Sequence, residues 1–206
     1  MMPVMIDVKG RPCTVVGGGC AAYRKAKTLL ANGAVIRIIS PELSEKFNSL
    51  DVEYIKKEYS PGDIKNSFIV VAATNDSKLN RQIGDDVRNS GNGLFLSADD
   101  KDNSDMMFMA YTEHGDIKIA VSTSGAYPAL SSHICSELYE KCEKYDKLCG
   151  VLSHYRKMIL EGEFEVEKKH ELIKTLVSEQ MLSFDNTEEL KREAEKIIYE
   201  KGNSRN

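Results

Sequence analysis

The sequence predicts an α/β fold with a doubly wound, mostly parallel sheet, followed by an all-helical C-terminal region. In the first half, apolar β-branched runs alternate with helical patterns, which is typical of βαβ units. A glycine-rich turn joins the first apolar run to the first helical pattern. After Pro128, proline is absent, glycine is rare, and Leu, Ile and Tyr recur at helical spacing among Glu and Lys.

Each predicted strand is a short run of mainly apolar or alternating residues. Phe68, Ile69, Val70 and Val71 form the strongest signal for a strand buried on both faces. Parallel sheets of this kind bind their ligands at the carboxyl ends of the strands. The predicted strands are 13–16, 35–39, 52–59, 67–73, 94–98 and 118–122, and the helices between them include 24–32 and 75–90.

The second half is predicted to be several helices. Gly162 and the stretch 183–186 are the expected breaks. Thr187 begins a last helix, because a capping hydroxyl is followed by acids in the first turn. The end of the chain, 201–206, is expected to be frayed.

Composition excludes several classes of protein. The net charge of −4 gives no basic field for a nucleic-acid partner. No run approaches the roughly 18 apolar residues of a membrane span, and the N-terminus has no signal-peptide pattern. Cys135, Cys142 and Cys149 recur every seven residues, which suits one stripe of a helix better than a disulfide framework. We therefore expect a cytoplasmic protein with reduced thiols and, since it lacks C-x-x-C or clustered His, no resident metal.

The glycine turn predicts a Rossmann-type dinucleotide site. Gly17 allows a tight turn after the first strand, and Gly19 lets the backbone approach a pyrophosphate. Ala22 is small enough for close packing of helix and strand. The turn leads into a helix, whose N-terminus attracts phosphate, and Cys20 and Ala21 of the turn join the predicted site. The alternative is a structural glycine turn with no ligand.

The second predicted strand ends without the acid that usually binds the ribose of NAD. Ser40 and Pro41 stand there, and Glu42 follows two residues late. Ser40, or the backbone of Pro41 and Glu42, would then contact the ribose. NADP stays open on chemistry alone, although no arginine replaces Ser40 to hold a 2′-phosphate.

Several motifs, in order over residues 2–160, together resemble one known family. They are Val15-Val16-Gly17-Gly18-Gly19 with Ala22, Arg24 and Lys25; Ile39-Ser40-Pro41; Ala72-Ala73-Thr74-Asn75-Asp76; Asp99-Asp100; and Ala120-Val121-Ser122-Thr123-Ser124-Gly125 with Pro128. This combination is similar to the precorrin-2 dehydrogenase family, which includes the N-terminal module of sirohaem synthase. The methyltransferase module of fused sirohaem synthases would need a much longer chain.

The resemblance implies an NAD-dependent enzyme that removes a hydride and a proton from precorrin-2 to give sirohydrochlorin. Some members also insert ferrous iron into that product. The family implies a homodimer in which a central segment forms the interface and a helical region completes the cleft. On this basis the predicted parts are an NAD-binding domain at 1–112, a dimerisation segment at 113–148 and a helical domain at 149–206.

The resemblance also implies roles for individual residues. Asp99 aligns with the family's essential aspartate, as a general base that takes a pyrrole N–H proton. The alternatives are a solvated loop acid, or Asp100 in that role. Thr74 and Asn75 would lie beside the nicotinamide ribose, the alternative being that Asn75 or Asp76 caps the next helix.

A hydroxyl-rich loop is the predicted contact with the tetrapyrrole. The family has a Ser-Ser-Gly-Gly type of loop there, and in this chain Ser122 is followed by Thr123 and Ser124. Ser122 and Thr123 are therefore the predicted substrate contacts, and a plain turn leading into a helix is the alternative. Two other functions stay open: a Rossmann module that senses a nucleotide without chemistry, and a family member that acts only as a chelatase.

Overall fold

A computed structural model describes residues 1–91 and 93–202. The chain forms two compact units, one spanning Met1–Phe108 and a second beginning at Met109. The predicted division at residues 112 and 148 stays a prediction. The first of these boundaries lies just beyond the end of the first unit, and the second lies within a long helix. Residues 203–206 of the expected frayed end lie outside the described residues.

The first unit is built around a five-stranded parallel sheet. Its spatial order is β3-β2-β1-β4-β5, so the order reverses direction between β1 and β4. The elements are β1 (Pro12–Val16), α1 (Cys20–Ala31), β2 (Val35–Ile39), β3 (Glu53–Ile55), β4 (Ile69–Ala72), α2 (Ser77–Ser90) and β5 (Leu94–Ser97). This arrangement confirms the predicted doubly wound α/β fold.

Two apolar layers cover the two faces of this sheet. On one face, Ala22, Ala26 and Leu29 of α1 pack in a buried cluster with alternate strand residues such as Val15 and Ile38. On the other face, Ile83 and Val87 of α2 share a cluster with strand residues that include Val16, Ile39 and Phe95. Successive strand side chains point to opposite faces. A strand covered on both sides therefore needs the continuous β-branched runs that the sequence shows.

Three predicted boundaries in this unit were wrong. Helix α1 begins at Cys20 rather than at 24, because the chain passes directly from the glycine turn into helix with Gly19 as its N-cap. Helix α2 begins at Ser77 rather than at 75, because the Asp76 side chain accepts from Lys78 N and Leu79 N and caps it there. Strand β3 is confined to Glu53–Ile55.

The second unit begins with an antiparallel hairpin, β6 (Ala110–His114) and β7 (Ile117–Val121). Strand β6 was not predicted, and β7 was expected as a further strand of the parallel series. The hairpin forms a separate two-stranded sheet and packs against the long helix α3 (Pro128–Glu161). Its residues are alternately half-buried and exposed, so they lack the apolar run that marked the other strands.

Three further helices follow, α4 (Val166–Thr175), α5 (Glu179–Leu182) and α6 (Thr187–Gly202). The predicted breaks at Gly162 and 183–186 are confirmed, and a further break between α4 and α5 was missed. Cys135 and Cys142 are buried on α3 and Cys149 is half-buried, as one helical stripe predicts. The core of this unit comprises Leu148, Tyr155, Ile159, Leu172, Leu176, Met181, Leu190 and Ala194.

Candidate functional site

The glycine turn lies where the carboxyl ends of β1, β2 and β4 meet. Gly17 has a φ of +120°, and its N–H donates to the carbonyl of Ile39 at 2.9 Å. A side chain at Gly17 would overlap the carbonyl of Ala73, and one at Gly18 would overlap the carbonyl of Glu42. The turn is thus pressed between neighbouring strand ends, which requires glycine at both positions.

Gly19 differs from its two neighbours, because a Cβ there would meet no atom within 4 Å. Its φ of −87° is open to any residue. The open space lies at the N-terminus of α1, where no side chain caps the helix and no acid occupies the first turn. Lys46 Nζ, at 3.4 Å from Cys20 Sγ, adds a positive charge beside it. This open, electropositive helix end suits the pyrophosphate of a dinucleotide.

The loop after β2 is held against the same turn. Ser44 N donates to the carbonyl of Gly18 at 2.9 Å. The Tyr54 hydroxyl donates to the carbonyls of Ser40 and Pro41, at 3.1 and 3.4 Å. Ser40 is buried and Glu42 is exposed. The structure therefore brings the predicted ribose-contact loop next to the glycine turn, and Tyr54 is a supporting residue that the sequence analysis missed.

Asp99 lies just after β5, at the same edge of the sheet, and three side chains donate to its carboxylate. Ser97 Oγ and Asn80 Nδ2 reach Oδ1 at 2.6 and 3.0 Å. Ser77 Oγ reaches Oδ2 at 2.6 Å. Burial raises the pKa of Asp99, but these hydrogen bonds outweigh it and the pKa is lowered overall. The carboxylate is therefore ionised near neutral pH.

The neighbouring acids of the loop serve its structure. Asp105 Oδ2 accepts from the backbone N–H of Phe95 at 3.0 Å. Asp100 Oδ1 accepts from Asn103 N at 3.2 Å, and its other oxygen pairs with Arg81 at 3.4 Å. Asp99 thus differs from a solvated loop acid by its set of side-chain donors, whereas Asp100 is engaged in the ion pair with Arg81.

Thr74 and Asn75 follow β4, between the glycine turn and Asp99. The N–H and hydroxyl of Thr74 both donate to Asn80 Oδ1, at 3.1 and 2.7 Å. Asn75 is exposed, and the helix cap is Asp76, so capping does not account for Asn75. The sequence analysis also missed Ser77, Asn80 and Ser97. One signal was available, since Asn80 precedes Ile83 by three residues and so falls on the buried face of α2.

Ser122 and Thr123 belong to the second unit, between β7 and α3. Thr123 Oγ1 accepts from Tyr127 N at 3.0 Å and from Ser131 Oγ at 3.3 Å. Ser122 Oγ accepts from Ser124 N at 3.0 Å. Both hydroxyls therefore order the turn that leads into α3. Their predicted contact with substrate stays a prediction.

The described residues contain neither a metal-binding cluster nor a membrane-spanning helix. Within 1–91 and 93–202, no group of three or more His, Cys, Asp or Glu side chains is arranged to hold a metal ion. In the same part of the chain, no helix has both the length and the apolar character needed to cross a membrane.

The sheet order, the turn at the point where that order reverses, and the open helix end define a Rossmann-type dinucleotide-binding protein. A family model described as "Putative NAD(P)-binding" matches residues 4–110. The "Precorrin-2 dehydrogenase" of Priestia megaterium is 30% identical over 185 residues, which are 87% of this chain and 91% of that protein. The chain belongs to the precorrin-2 dehydrogenase family, as its motifs predicted.

A solved structure and a longer relative agree with this assignment. The structure titled "SirC, precorrin-2 dehydrogenase" superposes with a TM-score of 0.71 and 30% identity, covering 95% of this chain and all of that one (100%). The "Siroheme synthase" of Actinobacillus pleuropneumoniae serotype 3 is 35% identical over 133 residues, or 63% of this chain. The match spans only 27% of that longer protein.

Proposed function

We propose that this protein is a cytoplasmic, NAD-dependent precorrin-2 dehydrogenase that forms sirohydrochlorin for sirohaem biosynthesis. The observation that carries the proposal is the ionised Asp99 carboxylate, which lies at the same sheet edge as the glycine turn. Three side-chain donors hold it there at 2.6–3.0 Å. An oxidation that removes a hydride and a proton needs an acceptor for each, and this edge has a site for both.

The chain's own residues divide this work between them. Gly17, Gly19 and the first N–H groups of α1, at Cys20 and Ala21, bind the pyrophosphate. The loop of Ser40, Pro41 and Glu42 contacts the adenosine ribose, and Thr74 and Asn75 border the nicotinamide ribose. Bound NAD⁺ supplies the hydride acceptor. Asp99 would take the proton from a pyrrole N–H, and the overall reaction of precorrin-2 with NAD⁺ would give sirohydrochlorin, NADH and a proton.

Three finer parts of the proposal rest on the family resemblance. Ser122 and Thr123 contact the tetrapyrrole, and the chain is a homodimer whose interface includes 113–148. Ferrous iron is a further substrate, because insertion into sirohydrochlorin requires the removal of pyrrole protons and Asp99 is suited to accept them. Sedimentation analysis tests the dimer, and iron uptake into supplied sirohydrochlorin tests the chelatase step.

The main test is turnover of precorrin-2 with NAD⁺ under anaerobic conditions, followed by sirohydrochlorin absorbance. Asp99→Ala should lower kcat by at least about 100-fold, the usual size of general-base catalysis. Asp102→Ala is the matched control, because it removes an exposed acid from the same loop. Full turnover by Asp99→Ala would exclude Asp99 as the base. Binding of NAD⁺ by the wild-type protein with no turnover would favour a nucleotide-sensing module instead.

A further inference from the structure

Asn80 is a buried polar residue on α2 whose side-chain amide is fully used. It is 1% exposed. Its Oδ1 accepts from both the N–H and the hydroxyl of Thr74, at 3.1 and 2.7 Å. Its Nδ2 donates to the carbonyl of Thr74 at 3.2 Å and to Asp99 Oδ1 at 3.0 Å. An amide offers two N–H donors and two oxygen lone pairs, and here all four have partners.

This pattern permits one orientation of the amide. If the amide were flipped, its NH₂ group would face the Thr74 N–H, and its oxygen would face the Thr74 carbonyl and the Asp99 carboxylate. Each exchange replaces a hydrogen bond by a repulsive contact in a buried place, where unmet polar groups are costly. Asn80 therefore connects the end of β4 to Asp99 in a fixed geometry.

Asp99 is exposed and lies two residues beyond the end of β5, so the sheet alone does not fix its side chain. Ser97 and Ser77 each donate one further hydrogen bond to the carboxylate. Of the three donors, Asn80 is the one that also bonds the Thr74 backbone, and hence the strand end beside the proposed nicotinamide site. Without Asn80, no hydrogen bond from this side chain would link the orientation of the Asp99 carboxylate to the position of that strand end.

We propose that Asn80 is a positioning residue for proton transfer, which holds the Asp99 carboxylate in one orientation at a fixed place relative to Thr74. The inference rests on the proposed function, since it takes Asp99 as the base. Asn80 itself touches Thr74 and Asp99 rather than the reacting atoms, so its effect is exerted through Asp99.

The electrostatic surroundings of Asp99 make this role measurable. Burial raises the pKa of Asp99, and the hydrogen bonds from Ser77, Ser97 and Asn80 lower it. Charged side chains on the start of α2 and the loop after β5 are Asp76, Lys78, Arg81, Asp100, Lys101, Asp102 and Asp105.

The test compares the pH dependence of kcat/KM in wild type and Asn80→Asp. The new side chain keeps an acceptor for Thr74 but places a second carboxyl against Asp99, so the pair titrates together at higher pH. Asp99 acts when ionised, so the acid limb of kcat/KM should move up by about one pH unit or more. We also expect kcat to fall on the order of 10-fold at neutral pH. Asn89→Asp adds the same charge to an exposed position of α2 and should leave both quantities at wild-type values.

A second measurement needs no substitution at Asn80 and no turnover. In the wild-type protein, the side-chain NH₂ resonances of Asn80 should titrate with the pKa of Asp99. Asp99→Asn should abolish that titration. The inference would be overturned if the Asn80 NH₂ resonances did not shift as Asp99 titrates. It would also be overturned if a folded Asn80→Asp variant kept the wild-type acid limb of kcat/KM. Failure of the proposed function is distinguished from this, because it would appear as full turnover by Asp99→Ala.

Discussion

Substitution of Gly19 by Ala should weaken cofactor binding strongly while it lowers the stability of the fold only slightly. A Cβ at Gly19 would meet nothing within 4 Å, whereas a Cβ at Gly17 would overlap the carbonyl of Ala73. The φ of −87° at Gly19 is open to alanine. Gly19 is the N-cap of α1, where alanine is less favourable than glycine, so Gly19→Ala should lower the free energy of unfolding by no more than about 1 kcal/mol.

The same substitution should weaken NAD⁺ binding much more. The added methyl group fills the space into which the pyrophosphate must come to reach the N–H groups of α1. Loss of one to two hydrogen bonds to a charged group, at about 1.5–3 kcal/mol each, predicts a loss of about 3 kcal/mol. That corresponds to a Kd roughly 100-fold higher.

Calorimetric titration with NAD⁺ measures the affinity, and urea denaturation measures the stability. Gly62→Ala is the matched control, because its Cβ also meets open space but lies outside the turn. Gly17→Ala, in contrast, should lower the stability of the protein itself. Its φ of +120° and the overlap with Ala73 should cost more than about 2 kcal/mol of stability. A Gly19→Ala protein that binds NAD⁺ like wild type would refute the assignment of this turn to the pyrophosphate.

Three further predictions concern stability. Asp76→Ala removes the cap of α2 and should cost about 1 kcal/mol in urea denaturation, while Asp76→Asn, which can still cap, should stay close to wild type. Gly84→Ala places a Cβ 2.6 Å from the Phe95 ring and should lower stability by about 1–3 kcal/mol; an unchanged melting temperature would show that the ring moves freely. Burial and the hydrogen bond to Glu195 raise the pKa of Tyr155 to about 12, so its contribution is complete below about pH 10 and is lost as pH rises towards 12. Tyr155→Phe should therefore lose less stability than wild type between those pH values in thermal melts.

Much of the α/β unit could be predicted from local sequence. The residues 35–39 are β-branched or apolar at most positions, and the predicted strand coincides with β2 at both ends. The two helix starts that failed are those at the N-caps of α1 and α2. The N-cap of α2 depends on which of two adjacent polar residues turns its side chain back, and Asp76 rather than Asn75 does so.

The hairpin of the second unit shows the limit of local patterns. Strands β6 and β7 are alternately half-buried and exposed, so neither has the apolar run of a strand covered on both faces. Their partner on one side is α3, which begins after the hairpin in the chain. Such a strand is stabilised by contacts that a short window of sequence does not contain.

The sequence by itself determined the class of fold, the glycine turn and the family, because each depends on residue types at fixed local spacing. The tertiary structure decided which polar groups meet. Asn80 reaches Thr74, six residues away in the chain, and Asp99, nineteen residues away, only because the first turn of α2 lies beside the residues that follow β4 and β5. Gly18 and Gly19 look alike in sequence, yet one is pressed against Glu42 and the other faces open space. Those differences arise from how the strand ends converge, which is a property of the packed sheet.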